Sequence, residues 1–191
     1  MASTGKEVNG NAVTAWFGAG FAQLHPLLQA LHRGEAQLSG TVSLQFGAGL
    51  AGVLGRRLAQ RLGLPTEAGT HALRVDIGHD ADTLWWNRCF DARQRVCSRF
   101  RPHGQWPDGY WIESTGPLEL RLAVDVIDGG WYWRVIAMRL RGVRVPLWLM
   151  PRSRAFKRVE DGRYRFFVGF ALPLFGEVVA YSGLLDTRTS P

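Results

Sequence analysis

The stretch Leu84–Thr115 constrains the fold of this chain more than any other, because apolar and polar side chains alternate along it. Successive side chains of a strand point to opposite faces of a sheet, so this alternation predicts strands with one buried face. We predict two strands, Leu84–Asp91 and Arg95–Arg101, joined by a loop at 92–94, and a third strand at Tyr110–Thr115. The centre of the protein is therefore expected to be an antiparallel sheet.

In the predicted register of the first hairpin, Trp86 lies opposite Phe100 and Arg88 lies opposite Ser98. This face is apolar except at its middle, whereas the other face is polar and charge-paired. Such a contrast is typical of a sheet that covers a core on one side only.

The third strand is expected to extend the polar centre of this face. If Trp111 lies beside Phe100, then Glu113 lies beside Ser98, although a long loop does not fix that register. Arg88, Ser98 and Glu113 then form a polar row on an apolar, inward face. A buried charge needs a partner, and an arginine beside a carboxylate has one. The row is either an internal ion pair that fixes the strand register or the polar anchor of a ligand cavity.

The composition supports one globular domain. Of the 191 residues, 46% are hydrophobic and 20% are charged, which suits a chain with a single substantial core. The eight Trp and ten Phe residues favour strands and cavity walls. We place the domain at 12–186 and expect frayed tails at 1–11 and 187–191.

Cys89 and Cys97 are the only cysteines, and the predicted register places them opposite each other on the outer face. A disulfide between such positions would be strained. Residues Met1–Asn11 contain no apolar run typical of a secretory signal. These observations favour reduced thiols and a cytoplasmic protein.

The net charge of +7 comes almost entirely from arginine. The excess is concentrated between Arg134 and Arg165, where basic residues alternate with apolar ones and are expected on a solvated outer face. No motif typical of nucleic-acid recognition accompanies them, so nucleic acid is not a predicted partner.

The first third of the chain predicts two helical segments and two strands. Ala12–Gly34 has apolar residues at helical spacing, with a break at Pro26. Leu38–Phe46 and Thr70–Ile77 alternate as half-buried strands, and Leu50–Leu62 is helical.

Gly47, Gly49 and Gly52 match the spacing of a dinucleotide-binding turn between a strand and a helix, with Glu67 and Asp76 downstream. The strand before them alternates polar and apolar residues, however, whereas central parallel strands are apolar throughout. The strand–helix alternation that a doubly wound fold requires also ends there. We therefore do not predict NAD(P) or another cofactor, and expect these glycines to let the helix approach the sheet.

His71, His79, Asp80 and Asp82 surround one predicted turn. They lack the regular spacing of metal ligands on a strand or helix, so we predict no metal site.

The second half of the chain contains two strong turn signals, Asp128-Gly129 and Asp161-Gly162. The first predicts a hairpin in which the strand Leu118–Ile127 returns with Val126 opposite Trp131. The second predicts a hairpin with Val159 opposite Tyr164, and a last hairpin follows it.

Lys157 is expected opposite Phe166, as the one charge on the inward face of its strand. It is a second candidate for a pocket residue, unless its stem lies along the wall and its amine reaches water. Tyr181, opposite Val168 in the last hairpin, points to the same interior.

The segment Val145–Met150 is strongly apolar, and cations follow it at Arg152 and Arg154. Its candidate docking residues are Leu147, Trp148, Leu149 and Met150. Such a segment either folds over the core as a plug or dips into a membrane interface. We favour the plug.

A set of short motifs in fixed order resembles a family of bacterial proteins, the domain of unknown function numbered 4166. The motifs are Trp86-Asn87-Arg88-Cys89-Phe90, Ser98, Glu113-Ser114-Thr115-Gly116-Pro117, Gly129-Gly130, Pro146-Leu147-Trp148-Leu149-Met150-Pro151, Asp161-Gly162, Leu172-Pro173-Leu174-Phe175-Gly176 and Tyr181-Ser182-Gly183. The resemblance covers most of the chain from about Phe21 onward. It implies a domain found alone or attached to NAD(P)-binding proteins similar to saccharopine dehydrogenase, and it implies no established activity. Where family members carry an acid before the later hairpin, this chain has Lys157-Arg158.

We predict a mainly β, α+β fold in which about ten antiparallel strands form a strongly curved sheet or closed barrel. The leading functional hypothesis is a binding domain for a small hydrophobic or amphipathic molecule with a polar head. Its predicted pocket residues are Trp86, Arg88, Ser98, Phe100, Trp111, Glu113, Lys157 and Tyr181. The alternatives are an isomerase, hydrolase or lyase that uses Glu113 and Arg88, and an accessory domain that docks on an NAD(P)-dependent oxidoreductase or on a membrane.

Overall fold

The computed structural model describes residues 10–146, 148 and 152–189. Within them the chain forms short helices and a single large sheet. The helices are α1 (Ala12–Phe17), a 3-10 helix (Gly18–Gln23), α2 (Pro26–Arg33) and α3 (Gly49–Leu62). The strands are β1 (Ala36–Phe46), β2 (Gly69–His79), β3 (Leu84–Phe90), β4 (Gln94–His103), β5 (Tyr110–Thr115), β6 (Leu118–Ile127), β7 (Gly130–Leu140), β8 (Val143–Val145), β9 (Arg152–Glu160), β10 (Arg163–Leu172) and β11 (Gly176–Thr189).

The sheet closes on itself. Its order is β6-β5-β4-β3-β2-β1-β11-β10-β9-β7-β8, and β6 also pairs with β7. Ten antiparallel strands therefore form a barrel, with β8 as an extra strand beside β7. The predicted closed barrel with mainly β, α+β character is confirmed.

The seam between β7 and β9 is short. Only Trp131, Trp133 and the residue between them pair with β9. The second half of β7, from Met138 to Leu140, pairs instead with β8. The barrel wall thus divides where β7 passes from one neighbour to the other.

The N-terminal helices fill one end of the barrel. Asn11 begins α1 by accepting hydrogen bonds from the backbone of Val13 and Thr14 through its side chain, and the predicted break at Pro26 is confirmed as the first residue of α2. Trp16 packs edge-on against Trp111 inside the barrel, with 5.3 Å between the ring centroids. We call this the closed end.

The opposite end carries the turns at 116–117, 141–142 and 173–175, and α3 lies across part of it. We call this end the mouth. α3 joins two antiparallel neighbours, β1 and β2, so it is not the crossover between parallel strands of a dinucleotide-binding unit.

Glycines let α3 approach the sheet closely. A Cβ atom at Gly47 would meet the carbonyl oxygen of Glu177, and one at Gly55 would meet that of Val178. The predicted close approach is therefore confirmed at Gly47 and extends to Gly55, whereas a Cβ atom at Gly49 would meet nothing within 4 Å.

The predicted pairings of the second half of the chain are confirmed. Val126 faces Trp131 in the β6–β7 hairpin, and Lys157 faces Phe166 in the β9–β10 hairpin. Val168 faces Tyr181 in the last hairpin. In each case the two-residue turn or the apolar alternation defines the register.

The predicted register of β3 and β4 is wrong by two residues. Trp86 faces Ser98, and Arg88 faces Val96. The cause is Asp91, which belongs to the turn because its backbone and carboxylate are bonded to Ala72 of β2. The turn therefore begins one residue earlier than expected, and the even shift leaves every side chain on its predicted face.

The same shift separates the cysteines. Cys97 faces Asn87, and Cys89 faces Arg95. The prediction that the two cysteines are directly opposite is therefore wrong, while both are free thiols as expected.

The register of β5 is also two residues from the prediction. Glu113 faces Phe100, and Trp111 faces Pro102. β4 continues to His103, whose ring stacks on that of Tyr110 with 5.1 Å between centroids. This longer β4 shortens the loop and moves β5 along it.

Candidate functional site

A cavity of about 150 Å³ lies inside the barrel. Its wall is mostly apolar and comes from nearly every strand and from the end of α3. The lining includes Leu38, Leu62, Leu64, Leu73, Val75, Trp86, Arg88, Phe100, Glu113, Thr115, Leu118, Leu120, Leu122, Trp133, Val135, Ser153, Ala155, Lys157, Tyr164, Phe166, Val168, Phe170, Tyr181 and Leu185. Leu118 and Ser153, at the mouth, are only half-buried. The cavity therefore extends to the mouth of the barrel.

A chain of polar contacts crosses one side of this cavity. Arg88 donates to the hydroxyl oxygen of Tyr181 over 2.9 Å and to that of Ser98. Ser98 lies 2.8 Å from the hydroxyl of Thr115, which donates to Glu113 over 3.3 Å. The structure thus brings together Arg88, Ser98 and Glu113, but through Thr115. No salt bridge joins Arg88 to Glu113 among the described residues.

Arg88 retains unused hydrogen-bonding capacity. Its guanidinium has more N–H donors than its two protein acceptors use, and its buried Nε has no partner among the described residues. Burial works against the charge, but Tyr181 and Glu113 raise the pKa of Arg88 above its ordinary value. Arg88 is therefore a fixed cation beside the cavity.

A second polar cluster lies nearer the closed end. The Nζ atom of Lys157 is 2.6 Å from Nε2 of His32, and Nδ1 of His32 is 3.1 Å from Nε2 of His79. Lys157 is 2% exposed and His32 is fully buried, while His79 is half-buried. We call these three residues the amine relay, because they connect the barrel interior with a partly exposed imidazole.

The amine of Lys157 is surrounded by aromatic rings. Its Nζ is 3.6 Å from the ring centroid of Trp131, 4.6 Å from that of Trp86 and 5.9 Å from that of Trp133. No carboxylate forms a salt bridge with it in the part of the chain that the structure describes. A cation at this position would be stabilised by the ring faces and by Nε2 of His32 as an acceptor.

The surroundings favour neutral forms of the amine relay. Burial lowers the pKa of Lys157 well below its ordinary value. Burial, and then the nearby Lys157 and His79, lower the pKa of His32. Burial and the charge of Lys157 lower the pKa of His79 to about 4. Burial is the main cause for each of the three groups.

The aromatic pocket residues divide between the cavity and the core. Trp86 and Phe100 line the cavity, and Phe100 stacks on Trp133 with 5.5 Å between centroids. Trp111 is fully buried between Trp16 and Trp131. Trp111 therefore belongs to the packing that seals the closed end.

Sequence reasoning missed Thr115 and His32, and it considered His79 only as a metal ligand. Thr115 follows Glu113 by two residues and shares its face, so the strand alternation could have identified it. His32 lies on α2, and no local pattern connects it with the distant Lys157.

The docking segment of the sequence analysis lies mostly outside the described residues, since Leu147, Leu149 and Met150 are not among them. Trp148 is described and is 75% exposed. Its side chain does not cover the core, which counts against the predicted plug at this residue.

The two histidines considered as metal ligands contact different residues. His71 bonds Asp91 over 2.6 Å, and His79 belongs to the amine relay. Among the described residues, no three His, Cys, Asp or Glu side chains form a group able to hold a metal ion.

These observations define a class of protein: a closed antiparallel β-barrel with helices that fill one end and a mostly apolar cavity inside. The chain belongs to the family described as a domain of unknown function (DUF4166), whose family model matches residues 24–185. This match covers most of the chain and confirms the resemblance found in the sequence. A search among curated proteins gives no match.

Proposed function

We propose that this protein binds a small hydrophobic or amphipathic molecule, with its apolar part in the barrel cavity and a polar head beside Arg88. The observation that carries the proposal is a cavity of about 150 Å³ whose apolar wall includes a buried guanidinium, the Nε of which has no partner among the described residues. Cavities of about that size in other proteins admit molecules as large as benzene. A few placed polar groups in an apolar pocket are typical of ligand sites.

The charges inside the barrel allow either an anionic or a neutral head. Arg88 on β3 offers donors, while Thr115 and Glu113 offer acceptors on β5, with β4 between the two strands. A carboxylate would use the arginine, and a hydroxyl would use both sides. Hexanoate and hexanol share one chain length and separate these two cases.

Calorimetric titration of the purified protein with each compound tests the proposal. We expect binding of one molecule per chain, and we expect Val135→Phe, which fills the cavity, to abolish it. Ile136→Phe is the matched control, because Ile136 is the next residue of β7 and is exposed. Absence of binding by both compounds, together with native mass spectra that show no co-purified molecule, would overturn the proposal.

The head contact has its own variant. Arg88→Gln should weaken hexanoate binding by about 10-fold or more, since a hydrogen bond to a charged group contributes roughly 1.5–3 kcal/mol. Hexanol binding should change less. Arg134→Gln, on the outer wall beside Asp125, is the control and should change neither.

A second candidate function is docking of the mouth on an anionic membrane, and exposed apolar side chains favour it. Most of the large apolar residues that are exposed lie at the mouth and form what we call the apolar rim. They are Leu50, Val53, Leu140, Val143, Trp148, Leu174 and Phe175. Isolated exposed apolar residues are ordinary, whereas a cluster at one end indicates a contact surface.

The charge of the rim matches an anionic surface. Arg141, Arg144, Arg152 and Arg154 are exposed at the mouth, and none has a salt bridge among the described residues. Each basic residue near an anionic membrane contributes about 1 kcal/mol. Among the described residues, no helix is long and apolar enough to cross a bilayer.

Co-sedimentation with vesicles tests this docking. We expect binding to vesicles of phosphatidylcholine with phosphatidylglycerol and little binding to phosphatidylcholine alone. The double variant Trp148→Ala, Leu174→Ser should lose it, whereas Ile127→Ser, at the closed end, should retain it. Equal binding by all three proteins would contradict a contact through the mouth. The enzymatic alternative with Glu113 and Arg88, and an NAD(P)-dependent oxidoreductase as partner, stay predictions.

A further inference from the structure

Lysine is rare in this chain, and one of its two lysines is inside the barrel. The sequence has 23 basic residues, of which only Lys6 and Lys157 are lysines. Solvent-facing basic positions are thus occupied by arginine almost throughout. An arginine cannot lose its proton in a protein, whereas a buried lysine can become a neutral amine.

The contacts of Lys157 are suited to a neutral amine. Nζ has aromatic rings and the imidazole of His32 around it, and no carboxylate partner among the described residues. If Nζ donates a hydrogen to Nε2 of His32, then His32 can donate from Nδ1 to Nε2 of His79. In this arrangement the lone pair of the amine is unused and available for attack.

Lys157 also belongs to the wall of the proposed ligand site. Lys157 lines the cavity together with Trp86 and Trp133, the rings closest to Nζ apart from Trp131. A small molecule in the cavity therefore meets a nucleophile beside an imidazole base. No local sequence pattern marks this pair of residues, because its two members are 125 positions apart.

We propose that Lys157 condenses with the carbonyl group of an apolar aldehyde or ketone in the barrel cavity, forming a Schiff base. This inference rests on the proposed function, since the carbonyl compound must enter the same cavity. Its polar head would be the carbonyl oxygen, and its alkyl part would occupy the apolar wall.

The condensation needs no oxidant, reductant or metal. The lone pair of Nζ attacks the carbonyl carbon, a C–N bond forms, and the carbonyl electron pair moves to oxygen. His32 accepts one proton from the nitrogen and passes it to this oxygen, which gives a neutral carbinolamine. The second proton of the nitrogen takes the same route to the hydroxyl group, which leaves as water while the C=N bond forms. Aldehyde and amine thus give imine and water, and His79 orients His32 through the contact at Nδ1.

Reductive trapping of the full-length chain tests the proposal. The protein is incubated with hexanal and sodium cyanoborohydride at neutral pH, and the modified lysines are identified by peptide mass spectrometry. We expect a hexyl group on Lys157 at a rate about 10-fold or more above that on Lys6, because one unit of pKa difference alone changes the neutral fraction tenfold. Modification of Lys6 alone, or of both lysines at equal rates, would overturn the proposal.

Two variants and a competitor separate chemistry from folding. Lys157→Met should lose the fast modification and retain the rate at Lys6. His32→Gln should slow modification of Lys157 while circular dichroism shows an intact barrel, whereas an unchanged rate would remove His32 from the reaction. Hexanol should protect Lys157 by occupying the cavity.

The failure of this proposal differs from that of ligand binding. If hexanol binds in the calorimeter and Lys157 is not trapped, the cavity is a binding site without amine chemistry. If neither hexanol nor hexanoate binds and Lys157 is not trapped, both proposals are overturned.

Discussion

Substitution of Lys157 by methionine should change how the free energy of unfolding depends on pH. The unfolded chain keeps the lysine proton up to the ordinary pKa of 10.5, whereas burial makes the folded chain release it at lower pH. Between these two values the unfolded state binds the extra proton, so the wild-type protein becomes more stable as the pH rises. Methionine has a similar length and nothing to titrate.

The magnitude follows from proton linkage. One extra proton on the unfolded state changes the free energy of unfolding by about 1.4 kcal/mol per pH unit. Over the pH interval between the two pKa values, the stability of the wild type relative to Lys157→Met should therefore increase with this slope. Burial raises the pKa of Tyr164, so this residue also makes stability depend on pH at high pH, but it is present in both proteins and cancels in the difference.

Urea denaturation at pH 8, 9 and 10, followed by tryptophan fluorescence, measures this difference. The difference in the free energy of unfolding between the wild type and Lys157→Met should change steadily across the series, with the slope given above. Parallel curves, with a constant difference in the free energy of unfolding, would show that Lys157 keeps its proton in the folded barrel. That result would refute the neutral amine and the reasoning built on it.

Three further predictions concern stability. Burial lowers the pKa of His79 to about 4. As the pH falls from 6.5 to 4, the unfolded state takes up the proton of this residue first, so the protein should become less stable. His79→Gln should remove about 2 kcal/mol of this loss, measured by urea denaturation. In Ser98→Ala, Arg88 and the hydroxyl of Thr115 each lose a hydrogen-bond partner. The free energy of unfolding should therefore fall by about 1–3 kcal/mol in the same assay. Gly55→Ala places a methyl group against the backbone of β11 and should lower the melting temperature, whereas Gly34→Ala, which meets open space, should not; equal melting temperatures would contradict the close approach of α3.

Which face a side chain occupies could be predicted from the sequence, but its partner across the strands could not always be. Trp86, Arg88 and Phe100 point into the barrel as the alternation predicts, although their pairings differ from the prediction by two residues. An even shift preserves the face, so burial alone cannot detect it. The bonds between Asp91 and β2 determine the shift, and they connect residues far apart in the chain.

Two-residue turns were the most informative local signals. Asp128 and Asp161 both have positive φ angles and are followed by glycine, as such turns require. The registers on either side of them were predicted correctly. The longer loops before β5 and inside the first hairpin offered no such constraint.

The candidate site was only partly predictable for the same reason. Lys157 could be recognised as a charge on an apolar face, because that conflict is local. Its partner His32 comes from a helix that fills the barrel end, and only the assembled fold brings the two together. The link between Arg88 and Glu113 likewise depends on Thr115, whose position follows from the register of β5.

The wall of the barrel is weakest where β7 changes its neighbour from β9 to β8. Three residue pairs hold β7 to β9, whereas each of the other joints of the barrel has at least five. The backbone amides of those joints should therefore exchange with deuterium more slowly than those of the short joint. Local loss of this pairing would separate β7 from β9 beside Ala155 and Ser153 and leave the rest of the barrel intact. A ligand of the cavity would then enter through the side of the barrel, between β7 and β9, and the two strands would pair again afterwards.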